Sequence, residues 1–169
     1  MYSFRAFDRT ADPTTFGTAV HACLAAYLAS PGTRWSDRDV TAILARHGID
    51  KAVAPHDVLT QLATVREWLG KRWPGAKVYV EVPITQSLTN GQILSGRIDL
   101  LVESESGWIL IDHKAGKQNS SQWQKLAAEY GGQLAAYGAA IEASTRRPVS
   151  ESWLLLPMSG FALRVKTPA

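Results

Sequence analysis

A chain of 169 residues is long enough for one domain with one sizeable core, and 46% hydrophobic with 20% charged residues is an ordinary globular balance. One cysteine, Cys23, excludes an intrachain disulfide and any zinc or iron–sulfur site built on several cysteines. No apolar run reaches the roughly 20 residues of a membrane span, and Met1–Arg5 lacks the apolar core of a secretory signal, so a cytoplasmic protein without a membrane partner is expected. The net charge of +3 is compatible with a polyanionic partner and does not demand one.

Residues 1–13 read as an irregular polar lead-in ending at Asp12-Pro13. A first helix is expected from Thr14 or Thr15, both good caps, with Val20, Leu24, Tyr27 and Leu28 as its apolar stripe and Ser30-Pro31-Gly32 as its end. Ser36 caps a second helix from Asp37 to about His47, and Pro55 opens a third that runs to about Trp73. Together, residues 14–73 form an N-terminal helical segment.

The period then changes to two. Val78–Ile84 reads as a strand, at a sheet edge because of Pro83. Asn90-Gly91 is a hairpin turn, Ile93–Val102 the next strand, 103–107 a turn and Trp108–Lys114 a third strand. Residues 119–143 repeat apolar side chains at three- and four-residue steps, with Gly131-Gly132 marking a kink or a close backbone approach. Two strands follow, Val149–Leu156 and Gly160–Val165. The order suits a single α/β domain over 1–169, its sheet core spanning 77–166, with a mixed central sheet flanked by helices.

Asp99 and Asp112 stand inside two apolar runs, Gly96–Val102 and Trp108–Lys114. Carboxylates in such surroundings need a cation. Residues two apart on a strand share a face, so Asp112 and Lys114 point one way and His113 the other. An antiparallel hairpin brings Asp99 beside Asp112, and a hard divalent ion relieves the repulsion between them, with the His113 backbone carbonyl as a further ligand. Lys114 would then orient or deprotonate a water, or neutralise charge on a phosphate. Taken without a relative, Asp99 could instead cap a bulge or pair with Arg97, and Asp112 with Lys114 could be a plain ion pair.

Asp99 followed by Asp112-His113-Lys114 resembles the PD-(D/E)XK nuclease superfamily: an acid, a hairpin-length gap, then acid-x-lysine. Four further features, in order across 17–137, are similar to its RecB-type exonuclease branch. They are Gly17-Thr18-Ala19-Val20-His21, Glu81-Val82-Pro83, Gly96 three residues before Asp99, and Gln133-Leu134-Ala135-Ala136-Tyr137. The resemblance implies a restriction-endonuclease-like core and a metal-dependent DNA nuclease that hydrolyses phosphodiester bonds with a metal-activated water. It implies His21, Asp99 and Asp112 as ligands of Mg²⁺ or Mn²⁺, and Lys114 as the catalytic lysine. Gln133 and Tyr137 would line the site and touch the substrate strand; Glu81 receives no firm role, support from behind the ligands being one option.

Alone, His21 suits a hydrogen-bonded core histidine, and Gln133 with Tyr137 suits helix packing. Lys117 and Lys125, with Arg146 and Arg147, would form a basic rim for phosphates, or remain ordinary solvated charges. The iron–sulfur subgroup needs four cysteines and is excluded. A phosphate-cradling Gly-x-x-x-x-Gly-Lys-Ser/Thr loop is lacking, so a helicase or another repair or replication protein would be a separate partner acting on single-stranded or unwound DNA. The rivals are a catalytically weak DNA-end or repair-complex binding module on the same fold, and an RNA-directed or mobile-element nuclease.

Overall fold

The structure is a computed structural model and describes residues 2–3, 12–87, 91–114, 120–156 and 160–166. The elements are β1 (Tyr2–Ser3), α1 (Pro13–Ala29), α2 (Asp37–Arg46), α3 (Pro55–Arg72), β2 (Lys77–Ser87), β3 (Ile93–Ser104), β4 (Gly107–His113), a 3₁₀ turn (Ser120–Gln122), α4 (Trp123–Thr145), β5 (Val149–Leu156) and β6 (Phe161–Val165). They form a three-layer α/β domain around one sheet of order β1-β6-β5-β4-β3-β2. β4 and β5 run parallel and every other pairing is antiparallel, so the sheet is mixed. A parallel pair needs a crossover, and α4 supplies it.

The helices sit where their apolar stripes can be covered. Phe16, Val20, Leu24, Val40, Leu62 and Val65 of α1–α3 pack on one sheet face with Leu100, Val102, Ile109, Ile111 and Leu155. On the other face Leu126, Leu134 and Ile141 of α4 meet Ile98, Leu101, Leu110, Leu154 and Leu156. β4 is buried along its whole length, as expected of a strand covered on both faces. Four of the six tryptophans, Trp68, Trp73, Trp108 and Trp153, are buried.

Three expectations change. α1 begins at Pro13 rather than at Thr14 or Thr15, because Asp12 is the cap: its carboxylate accepts from both the amide and the hydroxyl of Thr15. The lead-in contains a short strand, β1, whose Tyr2 and Ser3 pair with Ala162 and Phe161. The Gly131-Gly132 pair neither breaks α4 nor answers a close approach, since a Cβ at either position would meet nothing within 4 Å. Packing of Leu126, Leu134 and Ile141 on the sheet outweighs the local cost of the glycines. Pro83 does lie on an edge strand, β2. Asn90 lies outside the described residues, while Gly91 has the positive φ, 80°, that a tight turn requires.

Candidate metal and catalytic site

The site lies where β2, β3 and the end of β4 meet α1 and α4. β2 and β3 pair Val80 with Leu100 and Val82 with Ile98, which sets Glu81 opposite Asp99. β3 and β4 pair Leu100 with Ile111, so the next step along the ladder sets Asp99 opposite Asp112. Three carboxylates therefore stand side by side on consecutive strands. Like charges placed opposite each other destabilise a sheet unless cations face them.

Partners for these carboxylates come from three directions. His21, on the sheet-facing side of α1, places Nε2 2.5 Å from Glu81 Oε1 and 3.6 Å from Asp99 Oδ1. Arg97 Nη1 donates to Glu81 Oε2 at 2.9 Å. Lys114 Nζ lies 2.8 Å from Asp112 Oδ2 and 4.2 Å from the centre of the Tyr130 ring on α4. The His113 amide donates to Asp99 Oδ2 at 2.6 Å. Its imidazole turns to the opposite side of β4 from Lys114 and packs on the His21 ring, with centroids 5.1 Å apart.

Backbone geometry is unusual at the centre of this group. Glu81 has φ 54°, a left-handed conformation that costs a non-glycine residue of order 1–3 kcal/mol. Along regular strands, residues two apart share a face. Here Val80 and Leu100 join the α1–α3 core, whereas Val82 and Ile98 join the α4 core. Both strands change faces across the Glu81–Asp99 position, and the left-handed residue sits at that change.

Burial shapes the electrostatics. It raises the carboxyl of Asp99 above the ordinary range, against the charge of His21 and the amide of His113, which pull it down. Burial also raises Asp112, against its contacts with Lys114. The buried His113 imidazole is pushed down to about 3, again by desolvation first. Two carboxyls that ionise reluctantly are good hosts for a hard dication.

The donor set fits such an ion. Among the described residues, His21, Glu81 and Asp99 each offer one ligand atom, and these atoms lie within 4.8 Å of one another. His21 Nε2 and Asp112 Oδ2 are buried with ionic neighbours but no directed hydrogen bond. Asp112 lies outside that trio, its carboxylate engaged by Lys114.

Gln133 and Tyr137 lie on α4, where Gln133 Nε2 donates to the Tyr137 hydroxyl at 3.0 Å. Gly96 gives that hydroxyl its place against β3, since a Cβ there would stand 2.4 Å from it. Lys125 is exposed, and Lys117 falls outside the described residues. Arg147 binds Glu103 and the Ser104 carbonyl at the turn between β3 and β4.

Sequence reasoning offered Glu81 only a place behind the ligands, whereas it stands beside His21 and Asp99, and it left out Tyr130 beneath Lys114. The observed register, Val80 with Leu100 and Val82 with Ile98, is what sets Glu81 opposite Asp99. Tyr130 precedes Gln133 by three residues and so shares its helix face.

Comparison with known proteins gives the family. The profile of the PD-(D/E)XK nuclease superfamily matches residues 2–168. The chain belongs to the PD-(D/E)XK nuclease superfamily. Its curated relatives include an ATP-dependent helicase/nuclease subunit from Pelotomaculum thermopropionicum, 32% identical over 110 residues, covering 57% of this chain and 9% of the relative. The corresponding protein of Desulforudis audaxviator is 33% identical over 99 residues, 56% of this chain and 8% of the relative. That of Anoxybacillus flavithermus is 39% identical over 75 residues, 39% and 6%. The chain thus spans less than a tenth of the length of these relatives. Within this PD-(D/E)XK domain, no described helix is long and apolar enough to cross a membrane.

Proposed function

We propose that this domain is a RecB-type deoxyribonuclease that uses Mg²⁺ or Mn²⁺ to hydrolyse phosphodiester bonds. The observation that carries the reading is the convergence of His21, Asp99 and the Asp112–Lys114 pair from α1, β3 and β4. His21, Asp99 and Asp112, with the His113 backbone carbonyl, would hold the ion. When bound, it supplies Lewis-acid polarisation of the phosphate and of water.

The chain's own groups do the rest. Lys114, held between Asp112 and the Tyr130 ring, places a positive charge where negative charge grows on the phosphate during attack by water. Asp112 keeps that ammonium oriented. Gln133 and Tyr137, joined by their hydrogen bond, present a polar pair on α4 to the substrate strand, and exposed Lys125 adds a phosphate contact. Such sites touch phosphate rather than base edges, so the strand is bound without sequence readout.

The named relatives are helicase/nuclease proteins, which supports DNA as the substrate, single strands or unwound ends as its form, a helicase as the working partner and the cytoplasm as the setting. The test is cleavage of linear single-stranded DNA with Mg²⁺ and with EDTA, by the wild type, Lys114→Ala and Asp99→Asn. Cleavage confined to the Mg²⁺-loaded wild type is expected. Tight DNA binding with no cleavage over hours would mark a binding module instead, and equal activity in Lys114→Ala would remove the lysine from its role.

A further inference from the structure

We propose that the cleft between β2 and the C-terminal half of α4 seats an unpaired base of the substrate strand, stacked on Tyr79. The inference rests on the nuclease reading above and adds to it the reason why a single strand, rather than a duplex, would be taken.

The ring of Tyr79 carries the assignment. Tyr79 and Ile93 are the exposed large apolar side chains among the described residues, and Tyr79 is 41% exposed. The ring is nevertheless held in place. Its hydroxyl donates to Glu103 Oε2 at 2.9 Å, and Glu103 Oε1 accepts from Arg147 at 2.9 Å. It meets the Trp108 ring edge-on, with centroids 6.0 Å apart. Trp108 is fixed in turn by its indole N–H, which donates to Thr145 Oγ1 at 2.9 Å. A ring braced in this way and open on one side is a stacking platform, because its rotamer freedom is lost before a ligand arrives.

The open side is a cavity of about 390 Å³, within the range of small-ligand sites. Tyr79, Pro83, Ile84 and Trp108 line one wall, and Ile141 and Ser144 of α4 the other. Tyr79 pairs with Leu101, which packs in the α4 core, so the ring lies on the α4 side of the sheet. The helix lines this cleft with the small residues Ala140 and Ser144, which leaves the space open instead of covering the ring.

Position ties the cleft to the proposed site. Gln133, Tyr137, Ile141 and Ser144 recur at four- and three-residue steps, so the polar pair and the cleft share one face of α4. Ile141 lies roughly 6 Å beyond Tyr137 along the helix. On β2, Tyr79 stands two residues, about 7 Å, before Glu81. Arg147, whose guanidinium lies 5.4 Å from the centre of the Trp108 ring, supplies a cation for the sugar-phosphate backbone beside the base. A base paired in a duplex has both faces covered by its neighbours, so only an unpaired base can enter.

The experiment measures DNA binding by the full chain in EDTA, by fluorescence anisotropy. The probes are a labelled single-stranded oligonucleotide, a duplex of the same length and an abasic strand. Tyr79→Ala should weaken single-strand binding about 5- to 150-fold, as the loss of one stacked base would, and leave duplex binding within twofold. Tyr79→Phe keeps the ring and should keep the single-strand affinity, which separates stacking from the bond to Glu103. Ser144→Trp, at the exposed rim, should fill the cleft and reproduce the loss while leaving the platform intact. The abasic strand should bind the wild type at least as weakly as the ordinary strand binds Tyr79→Ala. Equal losses on single strand and duplex, a loss in Tyr79→Phe as large as in Tyr79→Ala, or full affinity for the abasic strand would overturn the proposal. So would unchanged single-strand binding in Tyr79→Ala and Ser144→Trp, which would leave the cleft to an apolar segment of a partner protein. If that happens while the wild type still cleaves DNA with Mg²⁺, the cleft falls and the nuclease reading stands; if the wild type neither binds nor cleaves DNA, both fall.

Discussion

Replacing Gly96 with alanine should unsettle α4 from the sheet face on which that helix packs. Gly96 pairs with Ile84 in the β2–β3 ladder, and a Cβ there would stand 2.4 Å from Tyr137 Oη and 2.9 Å from its Cζ. The atom it meets ends a side chain, but Tyr137 is only 8% exposed and is packed into the α4 core, so it cannot swing freely aside. Overpacking of this kind costs about 1–3 kcal/mol. For a domain of this size each kcal/mol lowers the melting temperature by roughly 2–4 °C, giving a drop of about 2–12 °C. Urea unfolding followed by tryptophan fluorescence measures the cost. In a Tyr137→Ala background the clash is gone and Gly96→Ala should be nearly neutral, a coupling of about 1 kcal/mol or more. A neutral Gly96→Ala, or an equal cost in both backgrounds, would refute the contact. Because Gln133 donates to that hydroxyl, Gly96→Ala should also raise KM for DNA.

Burial holds the His113 imidazole near 3, whereas in the unfolded chain it titrates near 6.5. The unfolded chain therefore binds a proton that the folded chain refuses, and stability falls as pH drops from about 6.5 toward 3, by up to about 1.4 kcal/mol per unit. His113→Leu should flatten that slope in urea melts between pH 6 and pH 4.5; an unchanged slope would show that the proton is taken up elsewhere. Tyr130 holds the Lys114 ammonium over its ring, a contact worth roughly 0.5–2 kcal/mol, so Tyr130→Leu should lower kcat by about 2- to 30-fold and Tyr130→Phe should not. Full activity in Tyr130→Leu would remove the ring from the site.

The fold was legible wherever local chemistry and packing agree. Period-two runs broken by Gly91 and Gly107 marked the strands, and Pro55 marked the start of α3. Local signals failed where tertiary contacts outweighed them. Gly131-Gly132 stays helical because the flanking apolar side chains are covered by the sheet. Thr14 and Thr15 lost the cap to Asp12, whose carboxylate reaches two donors at once.

At the site, the placement of Asp99 beside Asp112 follows from hairpin register, and strand alternation separates Lys114 from His113. The approach of His21 to the sheet was not available from spacing, since it depends on how α1 docks through Phe16, Val20 and Leu24. Nor could periodicity show the left-handed Glu81, because a glutamate is a poor occupant of that conformation and carries no glycine-like mark.

The central claim is that a divalent ion is held where β2, β3 and β4 meet α1. Anomalous scattering from a crystal soaked in Mn²⁺ tests it most directly. The prediction is a peak within coordination distance, about 2.0–2.3 Å, of His21 Nε2 and Asp99 Oδ1, on the side facing Asp112 and Glu81. A crystal at saturating Mn²⁺ with no peak there, or with its peak on other residues, would contradict the account.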